Sequence, residues 1–572
     1  MPYKSPVDEF SFILENIVGF DAVRGTDRFG ETTKDLTMAI LTEAGKLCDE
    51  VLAPLQRAGD LHPAYLENGV VRTSPGFGAG FQAIAEGGWV GMSADPDFGG
   101  MGLPVSVSSS VNEMMSGACL SLQLAPLMSQ GQIEALEHHA SDEMKALYLP
   151  KLISGEWTGT MNLTEPQAGS DVGALSTRAE LRSDGSYAVS GQKIYISWGD
   201  HDVAQNVCHL VLARLPGAPA GTKGISLFMV PKFIPNSDGS LGARNDVAVV
   251  SLEHKMGMHG SPTAVMQFDA AQGWLVGKEQ GGMAAMFTMM NNARLGVGGQ
   301  GVGVAEAAYQ HALSYALERK QGRTSPPVHA TGTIIDHADV RRMLTTMKAE
   351  VFAARGIDLS CAVALDMAQA TGNSDWTARA ALLTPIAKVF GTETGMSVSE
   401  IGVQVHGGMG FIEETGAAQF SRDVRVTAIY EGTNGIQAMD LVGRKMMDGG
   451  DAAYQLLDEI EAYAEIARGS VPELAEPVWQ ASESLRECTE WMVSQKDMNM
   501  RFAGAVPYLK GFARVMGGYL HLKAALAGVD PARLALARFY ILRLLPEHTG
   551  LLVQAQAGSD DLFTLSPEEL VA

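Results

Sequence analysis

Cysteine is scarce in this chain, and the few present do not pair by pattern. Cys48, Cys119, Cys208, Cys361 and Cys488 are odd in number, widely spaced and include no Cys-x-x-Cys. That argues against a disulfide framework and reads as free thiols in a reducing compartment. Positive charge is short as well: 42 Lys and Arg face 65 Asp and Glu, for a net charge of −23. Such a surface disfavours nucleic acid and anionic membranes, although a local basic groove can still take an anionic ligand. No run of about 18 apolar residues is available to cross a bilayer. The start, MPYKSPVDEF, has no basic-then-apolar signal pattern. A cytoplasmic protein without membrane or nucleic-acid partners is expected. Repeats and low-complexity tracts are also missing.

What remains is a globular composition, 46% hydrophobic and 19% charged. The 572 residues exceed one core, and at roughly 100–200 residues per domain three or four domains are expected. The 29 methionines suit flat aromatic ligands, but core filling is the commoner reason for them.

Periodicity divides the chain. Residues 1–157 read as helical: DLTMAILTEAGKLCDEVLAPL (35–55) and VNEMMSGACLSLQLAPLMSQGQIEALEHH (111–139) space apolar residues by three and four. Over 158–280 short β-rich runs take over, with SYAVSGQKIYISWG (186–199) expected to form strand, turn and strand. Helical spacing returns over 281–448, where 283–320 predicts one kinked helix or two, and with 338–368 and 381–406 implies a four-helix bundle. DGGD (448–451) marks a boundary before an additional helical domain, 449–572, in which Leu456, Leu457, Ile460 and Tyr463 share a face and Asp530-Pro531 opens a helix. The fold class is α+β.

Five segments stand out: MNLTEPQAGSD (161–171), GQKIYISWG (191–199), ALERK (316–320), QVHGGMGF (404–411) and YEGTNGIQ (430–437). Their order and spacing resemble the acyl-CoA dehydrogenase family of flavoproteins over roughly 35–447. The resemblance implies an N-terminal helical domain, a small central β domain and a C-terminal four-helix bundle, with FAD as cofactor and an acyl-CoA as substrate. With its N-terminal extension and added C-terminal domain, the chain is most similar to the branch acting on 3-methylmercaptopropionyl-CoA in dimethylsulfoniopropionate degradation, which yields 3-methylthioacryloyl-CoA.

The chemistry requires a base for the weakly acidic α C–H of a thioester, donors for its carbonyl oxygen, and a hydride acceptor facing the β-carbon. A lone Glu is more often a surface or capping residue, but in this company Glu431 is the expected catalytic base. Other family members carry the base on an earlier helix, where this chain has Ala293. The family also uses the backbone N–H of this Glu, with a flavin hydroxyl, to hold the thioester oxygen.

For FAD, the resemblance implies Leu163, Thr164 and Ser170 in the first motif, with Gln167 departing from the usual glycine. Tyr195 and Ser197 stand where Trp and Thr are usual. They keep an aromatic face and a hydroxyl, although ordinary strand alternation also accounts for them. Arg319, Gln404, Gly407 and Gly408 would meet a neighbouring subunit's FAD, which implies a homodimer or homotetramer. Thr433 and Asn434 would lie at the pyrophosphate. For substrate, the matching positions are Ser170, Arg294, Gly432 and Arg444. No metal site is expected: His138-His139 lacks ligand spacing. Gly296-x-Gly298-x-x-Gly301 imitates a dinucleotide fingerprint, but no strand precedes it, so it reads as close helix packing.

Three functions stay open. One is dehydrogenation of a short or medium acyl-CoA with an electron-transfer flavoprotein as acceptor, and another is an oxidase passing electrons to oxygen. The third is a DNA-associated alkylation-response flavoprotein. The last would want a basic added domain, whereas 449–572 holds 10 Lys and Arg against 17 Asp and Glu.

Overall fold

The computed structural model of the chain describes residues 3–323, 331–528 and 530–571, and element type changes where the hydrophobic period changes. The N-terminal part holds α1 (Val7–Asn16), α2 (Phe20–Arg24), α3 (Lys34–Lys46), α4 (Ala53–Leu61), α5 (Phe77–Glu86), α6 (Val105–His139) and α7 (Asp142–Ile153). A small hairpin, β1 (Tyr65–Glu67) and β2 (Val70–Arg72), lies between α4 and α5. Hydroxyl caps start two of these helices: Thr33 Oγ1 accepts from Leu36 N–H at 3.2 Å and Ser141 Oγ from Met144 N–H at 3.3 Å. α6 is buried over most of its length and leaves helical geometry at Cys119.

The central domain comprises β3 (Trp157–Asn162), β4 (Arg178–Leu181), β5 (Tyr187–Ser197), β6 (Asn206–Arg214), β7 (Ile225–Pro231), β8 (Phe233–Pro235), β9 (Leu241–Arg244), β10 (Val247–Leu252) and β11 (Thr263–Val276). Pairing runs β11–β5–β4–β6–β7 and returns from β7 to β11, closing a small barrel; β10 and β3 add at its margins, and β8 pairs with β9 apart from it. Val189, Ile196, Val211, Phe228, Met266 and Phe268 fill the interior. The expected strand, turn and strand over 186–199 is instead one strand. Gly191 does not turn because Phe268 of β11 pairs across it, and register shifts in β11 absorb the twist.

α8 (Gly282–Glu318) is likewise one helix, neither kinked nor split. Its glycines serve contact and not breakage. A Cβ on Gly301 would lie 2.3 Å from Gly391 O, and one on Gly391 2.5 Å from Gly298 O. α8 therefore meets α10 (Ser374–His406) backbone to backbone, the close packing read from the sequence. α9 (Ala338–Thr371) completes the three long helices of the bundle, with α11 (Ala417–Val424) and α12 (Asn434–Asp440) laid over them. Arg355 on α9 sits buried between Glu113 of α6 (2.6 Å) and Glu306 of α8 (2.9 Å), joining three helices.

The C-terminal part contains α13 (Asp451–Ala467), α14 (Pro472–Ser494), α15 (Met498–Leu526), α16 (Pro531–Phe539), α17 (Glu547–Gln556) and α18 (Pro567–Val571). Asp530 caps α16 through Ala532 N–H, with Pro531 at its first turn, as expected. α15 packs on α9, α10 and α12, and so covers the outer side of the bundle. All five cysteines are unpaired and buried.

Candidate active site

Glu431 lies on the turn between α11 and α12. A short 3-10 segment (Arg425–Ala428) ends, and the chain must reverse before Thr433, whose Oγ1 caps α12 by accepting from Ile436 N–H at 3.3 Å. Glu431 and Gly432 both take left-handed backbone, φ 58° and 84°. Glycine tolerates this freely, whereas for Glu it costs about 1–2 kcal/mol. Side chains hold both peptide oxygens. Gln437 Nε2 donates to Glu431 O at 3.0 Å, and Lys388 Nζ donates to Gly432 O at 3.0 Å and to Asn434 Oδ1 at 2.9 Å.

The Glu431 carboxylate is half-buried and makes no hydrogen bond to any described side chain or peptide. Burial pushes its carboxyl up to about 7, against the pull of Arg294 and Lys388. Burial also brings the Lys388 ammonium down to about 7, with Glu431 opposing.

Arg294, on α8, is buried. Its Nη1 lies 3.7 Å from Asp440 Oδ2 and its Nε has no partner among the described residues. Arg444 pairs with the same Asp440, and both guanidinium groups lie over the Phe287 ring. A cavity of about 560 Å³ opens between α6, α8, α9 and α10, with Arg294, Asp440, Lys445, Glu134 and Asp358 among its lining; Glu431 is not on its wall.

The Leu163–Ser170 loop is organised by a residue that sequence reading passed over. Glu165 is buried and accepts from Lys193 Nζ (2.8 Å), both the N–H and Oγ of Ser176 (2.7 and 2.8 Å), both the N–H and Oγ1 of Thr177 (3.0 and 2.5 Å), and Gln167 Nε2 (2.7 Å). Burial alone would raise this carboxyl; Lys193 and the hydrogen bonds overcome it and hold it at about 2. The pair is ionised, since every neighbour of the carboxylate is a donor. Lys193 Nζ also donates to Leu163 O at 2.9 Å, and Ile194 N–H to Thr164 O at 2.9 Å, fixing the loop to β5. Gln167, which departs from the usual glycine, spends its amide on Glu165 and on Ser176 Oγ at 3.0 Å.

At the end of β5, Tyr195 is left-handed (φ 60°) and 61% exposed. Trp198 is also left-handed but anchored: its N–H donates to Pro262 O at 2.8 Å and its Nε1 to Ser121 O at 3.2 Å. Tyr195 thus turns a free ring outward while the strand end stays fixed.

Arg319, Gln404, Gly407 and Gly408 form a separate group. Tyr315 and His406 stack at 4.4 Å, which brings the ends of α8 and α10 together. Arg319 is 25 residues from Arg294 on one continuous helix, a rise of about 37 Å. One chain therefore does not join this group to Glu431. The Asn434 side chain is buried and bonded to Lys388, Thr392 (3.1 Å) and Glu393 (3.3 Å).

Glu165, Lys193, Lys388 and Gln437 were missed as site residues. A signal existed for two of them: Lys193 stands at an inward position of an alternating strand, and Lys388 interrupts the apolar run LLTPIAKVF.

The residues fit a flavin nucleotide. Among the described residues, the side chains of Thr164, Ser170, Ser197, Arg319 and Gln404 make no hydrogen bond or ion pair, although the neighbouring Ser176 and Thr177 do. Unengaged polar side chains of this kind are what such a ligand needs.

Family models described as acyl-CoA dehydrogenase N-terminal, middle and C-terminal domains match residues 37–156, 160–271 and 280–447. A fourth, described as acetyl-CoA dehydrogenase C-terminal like, matches 456–566. The chain is 42% identical to a 3-methylmercaptopropionyl-CoA dehydrogenase of Ruegeria pomeroyi, over 98% of this chain and 95% of that one. It is 33% identical to a butyryl-CoA dehydrogenase of Syntrophomonas wolfei, over 98% and 96%. In fold it is similar to an acyl-CoA dehydrogenase of Bacillus anthracis complexed with FAD, with a TM-score of 0.73 at 20% identity, over 97% of this chain and 92% of that one.

Proposed function

The chain belongs to the acyl-CoA dehydrogenase family, and from that premise we propose that it dehydrogenates a short acyl-CoA, 3-methylmercaptopropionyl-CoA, with Glu431 as the base. It is an FAD-dependent oxidoreductase, as the family is.

One observation carries the assignment of the base: a carboxylate on a strained, side-chain-braced turn, half-buried, free of hydrogen bonds among the described residues and held near 7. A group that takes a proton from a carbon acid at neutral pH wants these properties. Ala293, before Arg294, leaves no rival carboxylate at that position of α8. Glu431 takes the α-proton, while Gln437 and Lys388 keep its turn from relaxing. FAD, when bound, supplies the acceptor for the hydride that leaves the β-carbon. Leu163, Thr164, Ser170, Tyr195, Ser197 and Thr433 would hold it. Arg294, Gly432 and Ser170 would position the thioester, and Arg444, exposed beside them, would meet the CoA portion.

Tyr430, the neighbour of the base, is anchored from within the bundle: its Oη bonds Gln300, whose Nε2 donates to Gln123 Oε1 at 2.9 Å. The 42% relative supports the thioether acyl group as the substrate. The separation of Arg319 from Glu431 supports a shared cofactor site in a homo-oligomer. An electron-transfer flavoprotein is the proposed acceptor. No described helix is long and apolar enough to cross a membrane.

The test is anaerobic. Purified holoenzyme should bleach with 3-methylmercaptopropionyl-CoA, and its kcat/KM across a panel of acyl chains should peak there or at butyryl-CoA and fall for long chains. A peak at long chains would reject the substrate assignment.

A further inference from the structure

The side chains that brace the Glu431 turn continue past it into the C-terminal domain. Lys510 Nζ, on α15, lies 3.1 Å from Glu393 Oε2 on α10. Glu393 Oε1 accepts from Asn434 Nδ2 at 3.3 Å, Asn434 Oδ1 accepts from Lys388 Nζ at 2.9 Å, and Lys388 donates to Gly432 O at 3.0 Å. The direction of this chain is fixed by chemistry. Lysine can only donate and a carboxylate only accept, so the amide between them has one orientation. We infer that Lys388 is a positioning residue for the base, and that the C-terminal domain reaches it through Lys510, Glu393 and Asn434. The inference rests on the reading of Glu431 as the base.

Two further features support it. First, α15 grips the far side of the same short helix: Arg501 Nη1 donates to Val442 O at 3.0 Å, and the Phe502 ring meets Gly443. α12 is thus held at its start through Lys510 and beyond its end through Arg501, and its start is one residue from the strained pair. Second, Lys388 is charged on the acid side of about 7. The charged and titratable groups around the turn are Arg294 from α8, Lys388 and Glu393 from α10, Tyr430 just before Glu431, Asp440 and Arg444 from the segment after it, and Lys510 from α15. Arg294 shares its charge with Asp440. Lys388 contacts a peptide oxygen and an amide and forms no ion pair among the described residues, so its cation acts on Glu431. Without it, Gly432 O loses its donor and the base protonates at higher pH.

The experiment measures the anaerobic bleaching rate of the holoenzyme against pH, reading the acid limb where the base takes up a proton. A wild-type enzyme that bleaches with no acyl-CoA would refute the proposed function and not this inference. With wild type active, Lys388→Met should slow bleaching at least tenfold at pH 7 and move the limb up by at least about half a pH unit, the direction expected for loss of a nearby cation. Lys388→Arg should return the limb to its place. Lys510→Met and Glu393→Gln, at the half-exposed end, should move it the same way by less. An unmoved limb in folded Lys388→Met overturns the positioning role, and an unmoved limb in both outer variants overturns the coupling to the C-terminal domain. If Lys388→Met does not fold, the outer pair decides.

Discussion

Replacing Glu431 by Gln should make the enzyme nearly inactive and, above neutral pH, more stable. The carboxyl has a value of about 7 in the folded chain against an ordinary 4.5. Because the folded state raises it, folding favours the protonated form. The cost of ionisation grows as pH climbs from 4.5 to 7, is complete above 7 and vanishes below 4.5. At about 1.36 kcal/mol per pH unit the full cost is about 3 kcal/mol. The carboxylate is only half-buried and regains some hydration, so about 1–2 kcal/mol is the working expectation. Gln keeps the shape and the left-handed backbone and removes only the charge. FAD-bound, substrate-free Glu431→Gln should therefore exceed wild type in urea denaturation at pH 8, and the difference should shrink by more than half at pH 5. In the same preparation, bleaching by acyl-CoA should fall at least about 10²-fold, the lower end for loss of a general base. Equal stability at pH 8 would mean the carboxylate is well solvated, and the account of its basicity would fail. Greater stability with retained turnover would mean a buried acid that is not the base.

Three other outcomes are expected. Glu165→Gln strips buried Lys193 of its counter-charge, so it should cost about 3 kcal/mol and release FAD on gel filtration, while Glu165→Gln with Lys193→Met should recover part of the stability; a single variant as stable as wild type would show the pair is dispensable. Gly301→Ala puts a Cβ 2.3 Å from Gly391 O, and denaturant unfolding should show a loss of at least about 2 kcal/mol, the middle of the range for overpacking. Arg319→Ala should raise the FAD dissociation constant about tenfold or more, as expected for a lost charge-assisted contact, read by flavin fluorescence; unchanged affinity would remove Arg319 from the cofactor site.

The three-part layout was legible because each part has its own period, and the C-terminal helices because Asp530-Pro531 and the apolar face of α13 are local signals. The failures were local too. Gly191 looked like a turn, yet whether a glycine turns depends on what pairs across it, and that partner, Phe268, lies 77 residues away. The Gly296–Gly301 stretch read correctly as packing, but the same glycines were also allowed to kink α8. Only the backbone of α10 against them shows why the helix runs straight through. In the site, Glu431 was legible because motifs name reactive groups. Lys388, Glu165 and Gln437 were not: Lys388 acts on a peptide of another segment, and Glu165 and Gln437, although inside motifs, act by holding neighbouring groups and not by their own reactivity.

That division follows from how the fold uses strain. Seven non-glycine residues among those described have positive φ, and Tyr195, Trp198 and Glu431 fall within the motif segments. Each costs about 1–2 kcal/mol where it stands, so each persists only if neighbours over-determine it. Trp198 has its indole bond to Ser121 and its peptide bond to Pro262. Glu431 has Gln437 on its own oxygen and Lys388 on the next. Left-handed backbone aims a side chain where ordinary backbone would not, so the direction of the Tyr195 ring and of the Glu431 carboxylate is set by these anchors more than by the residues themselves. A reactive group can be recognised by its type. An anchor is recognised only by what it holds, and so the residues that aim the chemistry stay invisible until the turn they brace has been seen.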